Sequence, residues 1–198
     1  MTTHIDNLLY HHCRSLEHVI FGEVKPKPEY DADLFDRKAH LWLEKQVGFY
    51  PLFLAVGTAE EDLHMTGYQD NWKRKIGEHN KCSIYRKKGE FLNEVLFSFE
   101  EVTGVFMDYL TWFIALNSEY KNYAVSDYEK RLIFKPSYSK ADWLRKASKD
   151  PGTVMLVAPS LYLPDAKRIW ARNKATKEKL EDMGFENVEA KRIAVERF

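Results

Sequence analysis

The sequence predicts an α/β to α+β fold: a single domain on a mixed β-sheet of about five or six strands, with helices packed on its faces. Three observations carry this. Two short, continuous apolar runs, Leu52-Phe-Leu-Ala-Val56 and Thr153-Val-Met-Leu-Val-Ala158, read as strands covered on both sides, because a strand with one wet face alternates apolar and polar residues. Around them apolar residues recur at helical spacing. The 198 residues, 44% of them hydrophobic, hold no Pro/Gly/Ser-rich linker and suit one core.

The pattern divides the chain into a helical N-terminal part, about 1–48, and a sheet with its helices, about 49–198. Thr3 caps a first helix with Asp6 at its third position, and Ile5, Leu8, Leu9, Cys13, Leu16, Val19 and Ile20 recur at helical spacing up to Gly22. Lys25-Pro-Lys-Pro-Glu is a stiff connector. A second helix starts at Asp31 or Asp33 and carries Leu34, Phe35, Ala39, Trp42 and Leu43 to Gly48. Thr58-x-x-Glu61 opens a short helix, and Met65 to Trp72 reads as an ordered loop. Ser83-Ile-Tyr-Arg and Phe91 to Phe99 form a hairpin turning at Gly89. Ser98-x-x-Glu101 reads as a capping box for a helix over 99–117 that is apolar on nearly every side. The last third alternates: a strand at Leu132-Ile-Phe, a helix from Ser139 to Ala147, the 153–158 strand, a helix from Pro164 to Met183 stopped by Gly184, and a strand from Val188 to Val195.

Several function classes fall away. The N-terminus has no basic stretch followed by an apolar core, so no secretory signal is expected. The longest apolar run, Val105 to Leu116, is too short to cross a bilayer and holds Asp108. Cys13 and Cys82 form no CxxC pair and fit a reducing compartment. The expectation is a soluble, cytoplasmic protein without a membrane partner.

No metal or cofactor is expected. His4, His11 and His18 are seven apart, hence about 10.5 Å apart along a helix, too far to share an ion; they line a solvated flank while His12 faces the core. Glu61-x-x-His64 occurs once, whereas carboxylate-bridged sites in bundles use the motif twice. Pro164-Asp165 with Glu189-Ala-Lys191 resembles the PD…ExK pattern of metal-dependent nucleases, which implies Asp165 and Glu189 as metal ligands and Lys191 against the phosphate. That family sets the two elements on adjoining strands, and a helix is expected here after Pro164. Asn173 with Gly184-Phe185 is similar to the last helix of N-acetyltransferases, but the Gly-rich pyrophosphate loop is missing. No Walker A loop, GxGxxG, GxSxG or HExxH occurs.

Three readings remain. Residues 72–88 hold seven Lys/Arg against one Glu, the densest of four alternating charge blocks in a chain of net charge zero. Lys73, Arg74, Lys75, Lys81, Arg86, Lys87 and Lys88 can neutralise phosphates, and Trp72 and Tyr85 can stack on bases. Lys167, Arg168, Arg172 and Lys174 on the expected last helix can assist. The bland counterpart is a solvated face paired with the acidic first block. The second reading is a small-molecule enzyme: Glu61, His64 and Asp70, with Glu60 and Asp62, follow the carboxyl end of the Leu52–Val56 strand, where open α/β sheets hold ligands. The third is a homodimer or protein-partner contact through the apolar helix 99–117.

Overall fold

A continuous apolar run is stable as a strand only where both faces are covered, and the fold supplies that cover. The computed structural model describes residues 8–13, 16–28, 34–57, 95–117, 125–150 and 153–190. Its strands are Leu8–Cys13 (β1), Val19–Ile20 (β2), Glu23–Val24 (β3), Leu52–Gly57 (β4), Val95–Phe99 (β5), Val105–Asp108 (β6), Val154–Ala158 (β7), Leu161–Tyr162 (β8), Arg168–Ala171 (β9) and Val188–Ala190 (β10). The helices are Leu34–Val47 (α1), Tyr109–Asn117 (α2), Asp127–Phe134 (α3), Lys140–Lys149 (α4) and Lys174–Asp182 (α5).

The seven-stranded sheet runs β10-β9-β5-β1-β4-β7-β6, and a three-stranded sheet runs β2-β3-β8. Among the described strands only β9 and β10 pair parallel; the other ladders are antiparallel, including β1 with β4 and β5, and β7 with β4 and β6. This is the mixed sheet with helices on its faces, with seven strands in the main sheet rather than five or six.

Alternation assigns the faces. Leu54, Val56, Phe97, Phe99, Val154 and Leu156 point to one side, packed with Trp143 and Ala147 of α4, Leu180 of α5 and Val19, Val24 and Leu161 of the small sheet. Phe53, Met155 and Val157 point to the other, against Ala39 and Leu43 of α1, Leu110, Trp112 and Phe113 of α2 and Ile133 of α3. Each fully buried Leu or Phe here contributes roughly 1.5–3 kcal/mol. Helices α3 and α4 start at true capping boxes, Ser126 with Glu129 and Ser139 with Asp142. The Ser139 hydroxyl holds the Asp142 carboxyl below its usual range.

Four expectations are corrected. The stretch expected to be the first helix contains β1, a 3-10 turn at Leu16–His18, β2 and the turn that leads into β3. Its apolar residues also satisfy period two, with Leu9 and Cys13 on one face and Tyr10 on the other, and ladders with β4 and β5 on both sides decide for the strand. The helix expected over 99–117 is the strand β6 followed by α2; Ser98 lies in β5 and caps nothing, its buried hydroxyl without a hydrogen-bond partner among the described residues. Leu132-Ile-Phe is helical, the end of α3. The long last helix is shorter: Pro164 sits in a 3-10 turn, Arg168–Ala171 is β9, and α5 begins at Lys174 behind Asn173, whose side chain accepts from the Thr176 N–H.

His11 lies on β1, not on a solvated helical flank. It is 8% exposed, and its Nδ1 is 3.0 Å from the Phe53 carbonyl oxygen. A carbonyl only accepts, so Nδ1 carries the proton. Burial lowers the His11 pKa from its ordinary 6.5, against the opposing effect of the Phe53 bond. The unfolded chain therefore takes up the second ring proton, at Nε2, at higher pH than the folded chain. Its contribution is intact above about pH 6.5 and is lost progressively as pH falls below it. Melting temperature followed from pH 7.5 to 5 should drop more for the native chain than for His11→Gln; parallel curves would show that His11 is not the responsible group.

Candidate functional site

All the catalytic and phosphate-binding residues singled out in the sequence lie outside the described residues: Glu61, His64, Asp70, Trp72, Lys73, Arg74, Lys75, Lys81, Tyr85, Arg86, Lys87 and Lys88. Their neighbours Glu60, Asp62 and Cys82 do too. Strand β4, which leads to the acid/base group, has antiparallel partners on both sides. The crevice at the carboxyl ends of parallel strands, which motivated the enzyme reading, is therefore not what β4 supplies.

The four assisting cations do not share a helix. Lys167 precedes β9 and meets Glu100 at 2.6 Å, a contact that holds the Glu100 carboxyl below its usual range. Arg168 is on β9, Arg172 follows that strand, and Lys174 opens α5 at 3.5 Å from Glu178. The PD…ExK elements do sit beside adjoining strands, because β9 and β10 pair with Glu189 opposite Trp170. Asp165, however, lies five positions before Trp170, about 16 Å along an extended chain. Lys191 lies outside the described residues. No metal-ligating group of three or more His, Cys, Asp or Glu occurs among the described residues, and none of their helices is long and apolar enough to cross a membrane.

Two polar constellations emerge instead. The first is Asp108, 5% exposed, at the junction of β6 and α2. One carboxylate oxygen accepts from the Thr111 N–H at 3.0 Å; the other lies 3.2 Å from Lys146 Nζ and 3.9 Å from Lys135 Nζ. Lys135 also stands 5.6 Å from the Tyr138 ring centre. This node ties a strand to three helices. Its sequence signal was a lone acid inside an apolar run.

The second is a cleft of 440 Å³ between the small sheet and the loop before β6. Buried Phe99 and Leu161 line it together with Thr103, Ser160, Tyr162 and Asp165, and Glu101 and Lys140 pair at 3.2 Å on its wall. Hydroxyls, an aromatic ring and carboxylates around an apolar floor can bind and orient a small polar or cationic group. In the sequence Glu101 read as a capping residue and Asp165 as half of a nuclease motif, so their proximity was not legible. Comparison with protein-family models, curated proteins and solved structures finds no match for this chain.

Proposed function

We propose that the chain binds a phosphate-bearing ligand, nucleic acid foremost, through residues 72–88. The observation that carries this reading is charge density: seven Lys/Arg within 17 residues against a single glutamate, with Trp72 and Tyr85 interleaved. Such crowding is self-repelling and folding alone rarely calls for it. The described surface supports the reading by contrast. There cations meet carboxylates locally, Lys25 with Glu23, Lys130 with Asp127, Arg145 with Asp142 and Lys177 with Glu181. The alternative of a partner contact through 99–117 loses its motive, because Leu110, Trp112, Phe113, Ala115 and Leu116 are buried within the chain itself. The reading takes the protein as cytoplasmic, on its sparse cysteines, of which Cys13 is buried.

Fluorescence anisotropy of the full chain with a labelled single-stranded oligonucleotide tests this. Affinity should fall steeply with salt, by about 0.7 in logarithmic slope for each phosphate neutralised. Reversing Lys87 and Lys88 to glutamate should weaken binding by at least about tenfold and flatten that slope, with the melting temperature unchanged. An affinity indifferent to salt, or a lower melting temperature with unaltered binding, refutes the reading.

A further inference from the structure

The hairpin joining β2 to β3 turns on two residues, Phe21 and Gly22, both with positive φ (51° and 76°). That geometry is a type I′ turn, whose first position favours Asn, Asp or Gly because a bulky side chain is strained there. Phe21 occupies it and is 100% exposed, so the fold draws no packing from the ring. Alternation across the small sheet sends Val19, Val24 and Leu161 into the core and leaves Ile20, Glu23 and Tyr162 in one outward row, in register Ile20–Glu23–Tyr162. Ile20 is 47% and Tyr162 54% exposed. The hairpin tip is anchored, since the Leu163 N–H donates to the Gly22 carbonyl at 2.8 Å.

Tyr162 belongs both to this outward row and to the lining of the 440 Å³ cleft, so the row and the cleft are continuous. The charges around them are nearly balanced. Glu23 is answered by Lys25 at 2.7 Å, Glu101 by Lys140 and Glu100 by Lys167. Asp165, exposed and lining the cleft, has no ion-pair partner among the described residues.

We propose that this surface docks a basic, apolar peptide segment of another protein: a Lys or Arg side chain enters the cleft toward Asp165 beside the Tyr162 ring, and a neighbouring apolar side chain lies against Phe21 and Ile20. The unanswered carboxylate selects a cation, and an aromatic wall beside it suits an ammonium or guanidinium group. Beyond the cleft the row leads past Glu23 to Ile20 and to a strained, solvent-facing phenylalanine, which a small free amine would leave uncovered. Strain retained at a position that packs against nothing points to use outside the fold. The surface includes none of residues 72–88 and does not rest on their role.

The probe is a fluorescein-labelled peptide of alternating leucine and lysine, with a leucine–glutamine peptide and butylamine as controls, read by anisotropy against the full chain. The lysine peptide should bind and the glutamine peptide should not. Asp165→Asn and Phe21→Asn should each weaken binding about tenfold, the scale of losing one interface anchor. Phe21→Asn should keep or raise the melting temperature, because asparagine tolerates positive φ. Equal binding of the glutamine peptide, undiminished binding by Asp165→Asn or Phe21→Asn, or displacement by butylamine at the same concentration as by unlabelled peptide would overturn the proposal. So would loss of binding only in step with loss of folded protein.

Discussion

Replacing Asp108 with alanine is expected to remove about 3 kcal/mol of stability, through two separable mechanisms. One is loss of the hydrogen bond that the Thr111 N–H donates to this carboxylate, which caps α2; an N-cap residue is worth about 1 kcal/mol. The other is the pair of ammonium groups left behind. Lys135 and Lys146 are only 20% and 23% exposed at the side chain, and stripping a buried charge of its partner costs about 3–5 kcal/mol. Both lysines retain some access to water, so a smaller share of that penalty applies. Asp108→Asn separates the two parts, since asparagine caps a helix as well as aspartate does but offers no charge. Urea denaturation should place it about midway between the native chain and Asp108→Ala. Equal losses in both variants would assign the effect to charge alone, and a loss under about 1 kcal/mol in Asp108→Ala would show that the node does not hold the fold together.

Gly104→Ala is expected to be comparably damaging, at about 3 kcal/mol. A Cβ there would lie 2.3 Å from the Val157 carbonyl oxygen and 3.1 Å from its carbonyl carbon. These are backbone atoms of β7, which is held from its far side by β4 through pairs such as Phe53–Val157. β7 cannot retreat, so β6 must, and β6 ends in Asp108. The clash thereby reaches the carboxylate that joins β6 to α2, α3 and α4. Gly104→Ala and Asp108→Ala should then be less damaging together than the sum of their separate losses, by at least about 0.5 kcal/mol. Full additivity would mean that the strand relaxes without moving its far end.

Much of the architecture was legible where residues had only one way to be buried. β4 and β7 announced themselves as apolar runs too short for helices, α1 by its Ala39, Trp42 and Leu43 spacing, and α4 by Ser139 and its apolar face. The misreadings fall where two periods fit equally. Leu9, Cys13 and Leu16 satisfy a helix, yet Leu9 and Cys13 also share one face of a strand, and because Tyr10 on the opposite face is buried as well no polar phase betrays it. β6 was absorbed into the helix after it for the same reason, Met107 and Asp108 both being buried. β9 is four residues long, and Pro164 and Gly184 framed it as part of a longer helix. The cleft was not legible because Glu101, Lys140 and Asp165 are brought together by the packing of separate elements, and only the three-dimensional arrangement puts them around one cleft.

The position of β1 constrains the order in which the sheet can be assembled. The strand nearest the N-terminus occupies the middle of the seven, with β4 on one flank and β5 on the other. During synthesis it precedes both partners: neither ladder can form until residues 52–57 exist, and its second edge stays open until residues 95–99 follow. The outer pair on that side, β9 and β10, follows both of these strands. The seam between the two halves of the sheet is thus closed by β1 across long sequence separations, whose closure entropy must be met before the ladders compensate. A nascent chain of this topology carries β1 unpaired until residues 52–57 are made and with one edge open until residues 95–99 follow, about half of the 198 residues, a state in which strand edges are open to other chains.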